Sequence, residues 1–340
     1  MLGFLYAHAT RARRRAAGRP GRQRRLQQPV VSVGNLRVGG TGKTPTVAYL
    51  ARLLIEMGER PAILSRGYAR RVVREGVVVV SDGRRLLADV DQSGDEPMLL
   101  ARAVDGAAVL VAADRYLAGR LAETHLGATV HLLDDGFQHL PLWRGTDLLI
   151  VSPGDVERPR TLPAGRLREP LSAGAAAHAV LVADATDDQA AAIKAALRVP
   201  HLFRLSRQLG AAQQIGPFGP CAAASPAPAV FAMAGIAGPE RFFDSLREAG
   251  WTIAGTASFA DHYRYRARDL AEAARAARAA GAAAIMTTEK DLMRLLPLRP
   301  WPMSVWWVPM SVRVEPAEVF GRWLADRLAD ERAGARGGSS

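Results

Sequence analysis

The residues best equipped for chemistry fall in one run, Val33-Gly34-Asn35-Leu36-Arg37-Val38-Gly39-Gly40-Thr41-Gly42-Lys43-Thr44-Pro45. A hydrophobic stretch enters a glycine-rich turn and leaves it through Lys-Thr. Gly39, Gly40 and Gly42 let the backbone curl until successive N–H groups point at one anion. The N-terminus of a following helix adds its positive dipole end. Lys43 is then placed to reach the terminal phosphates of a nucleotide, and the Thr44 hydroxyl a Mg²⁺. Contacts to phosphate are expected from Gly39, Gly40, Gly42, Lys43 and Thr44. The strict spacing G-x-x-x-x-G-K-[ST] asks for glycine where this chain has Arg37, so the loop is a variant form.

Carboxylates form the second group. An apolar run ends in Asp134-Asp135, where a carboxylate can hold a metal or its water ligands, or simply make an Asp-Asp-Gly turn. Gly94-Asp95-Glu96-Pro97 offers adjacent carboxylates, which repel unless a cation or a proton lies between them. The same four residues also spell a helix start, with Asp95 as cap and Pro97 in the first turn. His262, in Asp261-His262-Tyr263, can accept a proton, orient a carboxylate, contact a phosphate or be an inert surface residue.

These groups need elements to position them. From residue 30 onward, short β-branched runs alternate with helical patterns. Strands are predicted at 30–33, 62–65, 108–112, 130–134 and 148–151, and helices at 45–57, 96–103 and 115–125. An edge strand or hairpin is predicted at 77–80. Such alternation implies α/β architecture: a P-loop NTPase-like, mainly parallel sheet with helices on both faces. Residues 153–174, rich in Pro, Gly and Arg, read as an ordered surface loop, and 207–228 as a linker. A second, smaller α/β domain is expected beyond it, with strands at 230–234, 283–287 and 305–308 and helices at 239–249 and 267–280. The expected divisions are an arm at 1–28, a P-loop core at 29–222, the smaller domain at 223–331 and a disordered tail at 332–340.

The 340 residues, 49% of them hydrophobic, are enough for two domains. Cys221 is the only cysteine, which excludes an internal disulfide framework and a four-cysteine zinc site. The net charge of +12 is concentrated at Arg11, Arg13, Arg14, Arg15, Arg19, Arg22, Arg24 and Arg25. Leu2, Leu5, Tyr6 and Ala9 precede this cluster at helical spacing, so 1–28 reads as a basic amphipathic helix for an anionic membrane surface, or as a solvated basic arm. No run approaches the ~18 apolar residues of a spanning helix. The apolar piece comes before the charges, the reverse of a secretory signal. No zinc-finger spacing or aromatic stacking motif accompanies the arginines, so nucleic acid is not an expected partner.

Together these motifs resemble the tetraacyldisaccharide 4′-kinase (lipid A 4′-kinase) family. The resemblance rests on the phosphate loop, Ser65-Arg66-Gly67-Tyr68, Gly94-Asp95-Glu96-Pro97 and Asp134-Asp135-Gly136-Phe137-Gln138-His139. It continues through Leu162-Pro163-Ala164-Gly165-x-Leu167-Arg168-Glu169, then Ala234-Gly235-Ile236 with Pro239 and Arg241-Phe242-Phe243. Asp261-His262 and Thr288-Glu289-Lys290-Asp291 complete it. It implies transfer of the ATP γ-phosphate, with Mg²⁺, to the 4′-hydroxyl of a tetraacyldisaccharide 1-phosphate, giving lipid IVA. The place implied is the cytoplasmic face of the inner membrane, with peripheral or monotopic attachment, and a monomer is expected. By motif, Arg37, Val38, Gly39, Gly40, Thr41, Gly42, Lys43 and Thr44 are implied as the ATP phosphate loop, Asp95 as the base with His262 assisting, and Lys43 and Asp135 as further catalytic residues. Thr44, Glu96 and Asp134 are implied near the metal, and Glu169 on the substrate side. Two departures stand out: a short N-terminal apolar segment, and Tyr263 where the family often has a second histidine. The competing reading is a P-loop GTPase or ATPase switch or a metal-insertion protein, which shares the Gly-Gly-x-Gly-Lys-Thr core but usually reads guanine through an Asn/Thr-Lys-x-Asp spacing absent here.

Overall fold

A computed structural model describes residues 2–19, 21–68, 70–72, 75–216, 219–222 and 228–337. The chain opens on α1 (Leu2–Ala17) and enters the fold at β1 (Val30–Asn35), whose six residues are all buried. There follow α2 (Lys43–Glu56), β2 (Pro61–Ser65), β3 (Val78–Asp82), α3 (Val90–Ser93), α4 (Asp95–Ala103), β4 (Ala108–Val111), α5 (Arg115–His125), β5 (Val130–Asp134) and β6 (Thr146–Val151). Next come α6 (Pro153–Glu157), β7 (Ala179–Ala183), α7 (Asp187–Leu197), β8 (His201–Leu209), β9 (Gln213–Gly216) and β10 (Gly219–Ala222). The remainder is β11 (Val230–Ala234), α8 (Pro239–Glu248), β12 (Ile253–Ser258), α9 (Ala267–Ala279), β13 (Ala284–Thr288), α10 (Glu289–Leu295), β14 (Val305–Val308), β15 (Met310–Glu315) and α11 (Ala317–Gly337).

Nine strands form the large sheet in the order β15-β8-β7-β6-β1-β5-β2-β4-β3, with β1 at its centre. Every internal pairing is parallel, and only the edge strands β3 and β15 run antiparallel. Strands buried on both faces need continuous apolar runs, and β1, β4, β5, β6 and β7 read that way. The carboxyl ends of a parallel set open onto one crevice. Here that crevice receives the loop after β1, Ser65, Asp134, Ser152 and Asp184. The six-stranded sheet, β10-β9-β14-β13-β11-β12, is parallel from β14 to β12.

One apolar core joins the two sheets. Val31, Val33, Leu50 and Leu54 of the first unit pack in the same cluster as Leu292, Met293 and Trp307 of the second. Through α4 and α10 the second unit is therefore seated on the first, and the starts of these helices meet, Lys290 with Glu96 at 2.9 Å.

Three expectations are corrected. Residues 207–228 are not simply a linker: β8 runs to Leu209, and β9 and β10 form a hairpin on the edge of the small sheet, while 223–227 lie outside the described residues. Nor do the sheets divide at residue 222, since β9 and β10 join the small sheet and β15 returns to the large one against β8. The tail expected to be disordered from 332 continues α11 as far as Gly337; 338–340 lie outside the described residues. The physical reason is burial: Phe320, Leu324 and Leu328, at successive i+4 positions, seat α11 on the core. Residues 153–174 contain the short helix α6 as well as loop.

Candidate active site

The loop between β1 and α2 curls through positive φ at Gly39 (98°) and Gly42 (85°), where a side chain would be strained. Gly42 is the N-cap of α2 and brings no side chain to the helix start, leaving its first N–H groups available to an anion. Lys43 Nζ stands 3.3 Å from Asn35 Oδ1 and 3.7 Å from Asp135 Oδ1. Asn35 in turn donates to Thr41 Oγ1 at 2.8 Å, tying the end of β1 to the loop. Two residues expected to touch nucleotide also hold partners within the protein. The Arg37 guanidinium turns to Asp155, at 3.4 Å, and the Val38 N–H donates to the Arg166 carbonyl at 2.9 Å. The Arg37 side chain runs toward α6 and lines the cavity beside the loop.

β5 delivers Asp134 and Asp135 beside this loop. Asp135, at φ 51°, is gripped by the Arg168 fork at 2.7 and 2.8 Å. Burial pushes the Asp135 carboxyl up, but the Arg168 hydrogen bond and the Lys43 charge outweigh it and hold it below the ordinary carboxylate range. Asp134, 4% exposed, behaves oppositely. Burial first, then repulsion from Glu96 and Asp135, raises it, against the pull of Lys43. That balance brings Lys43 and Glu96, from opposite walls of the crevice, to bear on one carboxylate.

The opposite wall is built from both sheets. α4 begins at Gly94, whose φ of 88° makes it the N-cap, so Asp95 is not the cap. Its Oδ2 instead meets His262 Nδ1 at 3.1 Å and Arg294 Nε at 3.4 Å. Burial opposes the Asp95 charge, yet the His262 hydrogen bond and the Lys290 and Arg294 charges keep its carboxyl below the usual range. His262 is held at φ 57° and meets the Tyr68 ring edge-on at 5.1 Å between centroids. Lys290 Nζ lies 2.9 Å from Glu96 Oε1 and 3.3 Å from His262 Nε2. A charged lysine only donates, so Nε2 accepts, and the imidazole proton resides on Nδ1, where it points at Asp95.

Glu169 is paired with Arg14 of α1, through Oε2 at 2.9 Å and Oε1 at 3.0 Å. The same guanidinium lies 4.3 Å over the Phe137 ring, two residues beyond Asp135. The expected substrate-side residue is thus joined to the N-terminal helix.

Arg168, Arg294, Asn35 and Lys290 belong to this site but were given no role from sequence. Asn35, Arg168 and Lys290 lie within the sequence motifs, which is the available signal; Arg294 carries none. A cavity of about 420 Å³ also adjoins the loop, between the ends of β6 and β7, lined by Gly40, Thr41, Ser152, Asp184, Arg207 and Arg241. Its position beside the phosphate loop fits the base and ribose of a nucleotide.

A Mg²⁺ is implied by the chemistry. No three His, Cys, Asp or Glu side chains among the described residues converge as a protein cage. Mg²⁺ seldom needs one, since it keeps waters and takes phosphate oxygens beside one or two carboxylates. Asp134, pushed up by neighbouring negative charge, is a carboxylate that a cation would relieve, and Thr44 sits on the first turn of α2. Oxygens of Thr44, Asp134 and Glu96 are of the kind such an ion takes, and Glu96 is here paired with Lys290 at 2.9 Å.

Comparison with known proteins gives the family. The family model described as LpxK, tetraacyldisaccharide-1-P 4′-kinase, matches residues 1–329. A tetraacyldisaccharide 4′-kinase of Geobacter metallireducens is 41% identical over 312 residues, 88% of each chain. That of Geobacter sulfurreducens is 43% identical over 287 residues, 81% of this chain and 79% of the relative. The crystal structure of LpxK from Aquifex aeolicus in complex with ATP superposes with a TM-score of 0.76 at 29% identity, covering 96% of this chain and 97% of that one. With its phosphate loop, carboxylate pair and cross-cleft Asp–His pair in place, the chain belongs to the tetraacyldisaccharide-1-P 4′-kinase family.

Proposed function

We propose that the protein transfers the γ-phosphoryl group of ATP to the 4′-hydroxyl of a tetraacyldisaccharide 1-phosphate. The observation that supports this most is the Asp95–His262 pair, at 3.1 Å, whose neighbour Glu96 acts together with Lys43 of the phosphate loop on the Asp134 carboxylate. The acceptor oxygen forms a new bond to the γ-phosphorus as the bond to the β,γ-bridging oxygen breaks. ADP leaves with that electron pair. The hydroxyl proton passes to Asp95, which the neighbouring positive charges keep ionised and ready to accept it. A carboxylate held this low is a weak base, but phosphoryl transfer passes through a loose transition state in which alignment matters more than base strength. His262, with its proton on Nδ1, aims the Asp95 oxygen, and Lys43 steadies the phosphate oxygens. Mg²⁺, when bound, neutralises charge on the β- and γ-phosphates.

Among the described residues no helix is long and apolar enough to cross a membrane. We place the protein at the cytoplasmic face of the inner membrane as a peripheral enzyme, held by the arginines of α1 on anionic lipid.

Asp95→Asn tests the assignment, using ATP labelled at the γ-phosphate and the disaccharide monophosphate as acceptor. Turnover is expected to fall about 10²- to 10⁴-fold, the usual contribution of a positioned base, with the KM for ATP little changed. A variant that raised only the KM for ATP would make Asp95 a nucleotide or metal contact instead.

A further inference from the structure

Thr288-Glu289-Lys290-Asp291 takes no part in the phosphoryl transfer as proposed. Asp291, fully buried, is its anchor. It accepts from the Gly235 N–H at 3.1 Å, the Tyr265 hydroxyl at 2.8 Å and the Thr288 hydroxyl at 2.6 Å, and pairs with Arg294 at 3.1 Å. These bonds tie the start of α10 to the end of β11. The adjacent residue, Lys290, is thereby presented to the crevice on a fixed base.

Composition sharpens the point. Of 45 basic residues only three, Lys43, Lys194 and Lys290, are lysine. Lys194 is exposed on α7, whereas the other two lie in the crevice. Where arginine serves almost every other cationic purpose, a lysine in the site marks a task that a planar fork performs poorly. An ammonium is a compact charge with three rotatable donors, able to leave one oxygen for another. An arginine facing Glu96 would instead settle into a two-point grip.

We propose that Lys290 is a second catalytic lysine, whose ammonium moves from Glu96 and His262 onto an oxygen of the transferring phosphoryl group. This proposal rests on the kinase reading. Lys43 approaches that group from the phosphate loop and Lys290 from the acceptor side, beside Asp95. The charge of the transferring group is spread over its three equatorial oxygens, so a donor that reaches one of them only as the group moves toward the acceptor lowers the barrier more than it strengthens nucleotide binding. The move also releases His262 Nε2 from its donor. No bond beyond those of phosphoryl transfer forms or breaks.

Lys290→Ala, Lys290→Gln and Lys290→Arg are to be compared with the wild type for transfer from labelled ATP. Binding of ADP is measured in parallel, with and without aluminium fluoride, in the presence of Mg²⁺ and the acceptor. The Ala and Gln variants are expected to lose about 10²- to 10³-fold in kcat, the cost of one donor to a developing charge, with the KM for ATP within about threefold. They should bind ADP normally and lose the extra affinity conferred by the fluoride mimic. Lys290→Arg, which keeps the ion pair with Glu96, should stay at least about tenfold slow. Rescue by Arg, or equal loss of ADP and ADP–fluoride binding, would make Lys290 a tether between the sheets and overturn the proposal. So would Ala and Gln variants within threefold of a wild type that turns over. No product from the wild type would count against the kinase reading and the proposal together.

Discussion

Asn35 and Asp135 are fixed by a residue far from both in sequence. The Arg168 fork holds both oxygens of Asp135, and its Nη2 also reaches the Asn35 side-chain and backbone oxygens. Two parallel charge-assisted bonds give direction as well as energy, which a single ammonium cannot reproduce. Arg168→Lys is therefore expected to lower kcat/KM for ATP about 10- to 100-fold, the equivalent of one charged hydrogen bond of ~1.5–3 kcal/mol. The melting temperature should move little; kinetics within twofold of wild type would remove the fork from the site's design. Arg168 also marks the limit of sequence reasoning. The phosphate loop was legible because its glycines, lysine and helix start are contiguous and each has a local cause. Arg168 lies 33 residues from Asp135 and 133 from Asn35, and nothing local to it announces a partner. The ambiguity at Asp95 was of another kind. A helix cap and a base use the same residue type, and only the Gly94 backbone and the His262 contact separate them.

At the scale of elements, strands and helices that carry their own periodic signal were legible. Elements that depend on a distant partner were not. The hairpin of β9 and β10 looked like linker because its Gly, Pro and Gln residues are ordered by pairing with β14 rather than by their own burial. α11 was cut short because its last turns are rich in Arg, Ala and Gly, although the helix is anchored upstream by Phe320, Leu324 and Leu328. It also carries a half-buried acid. The Glu331 carboxyl accepts the Val30 N–H at 3.2 Å, and burial pushes its pKa up to about 7 against the pull of that bond and of Arg327. In the unfolded chain the same acid ionises near 4.5. Between these values the folded protein holds the extra proton, so stability falls as pH rises through this window and stays lower above it. Glu331→Gln keeps an acceptor for Val30 and removes the charge. It should stabilise the protein by on the order of 1 kcal/mol at pH 8 and by much less at pH 5, read from denaturant midpoints at the two values. An equal effect at both would assign the gain to packing.

The whole molecule brings three surfaces together: a nucleotide crevice, a second sheet seated over it, and a basic helix beside it. α1 is not a free arm, because Thr161 donates to the Gly3 carbonyl at 2.9 Å and Arg14 is committed to Glu169 and the Phe137 ring. One side of the helix is thereby tied to the loop that carries Arg168, while Arg11, Arg13, Arg15 and Arg19 remain exposed. A lipid-borne acceptor has to be met at a membrane, and exposed arginines attract anionic headgroups by about 1 kcal/mol each within a screening length. Replacing these four by Gln leaves Arg14 and the packed side of α1 untouched. The variant should sediment with phosphatidylglycerol vesicles at least tenfold more weakly than the wild type. Neither protein should bind vesicles of neutral lipid well. Raising salt from about 0.1 to 1 M, which shortens the screening length from about 10 to 3 Å, should bring the wild type down to the variant. Turnover on a short-chain, water-soluble acceptor should be the same for both, because the altered residues act on where the enzyme works and not on the crevice. Equal, salt-insensitive sedimentation of the two proteins would show that any membrane attachment comes from apolar contact and owes nothing to these charges.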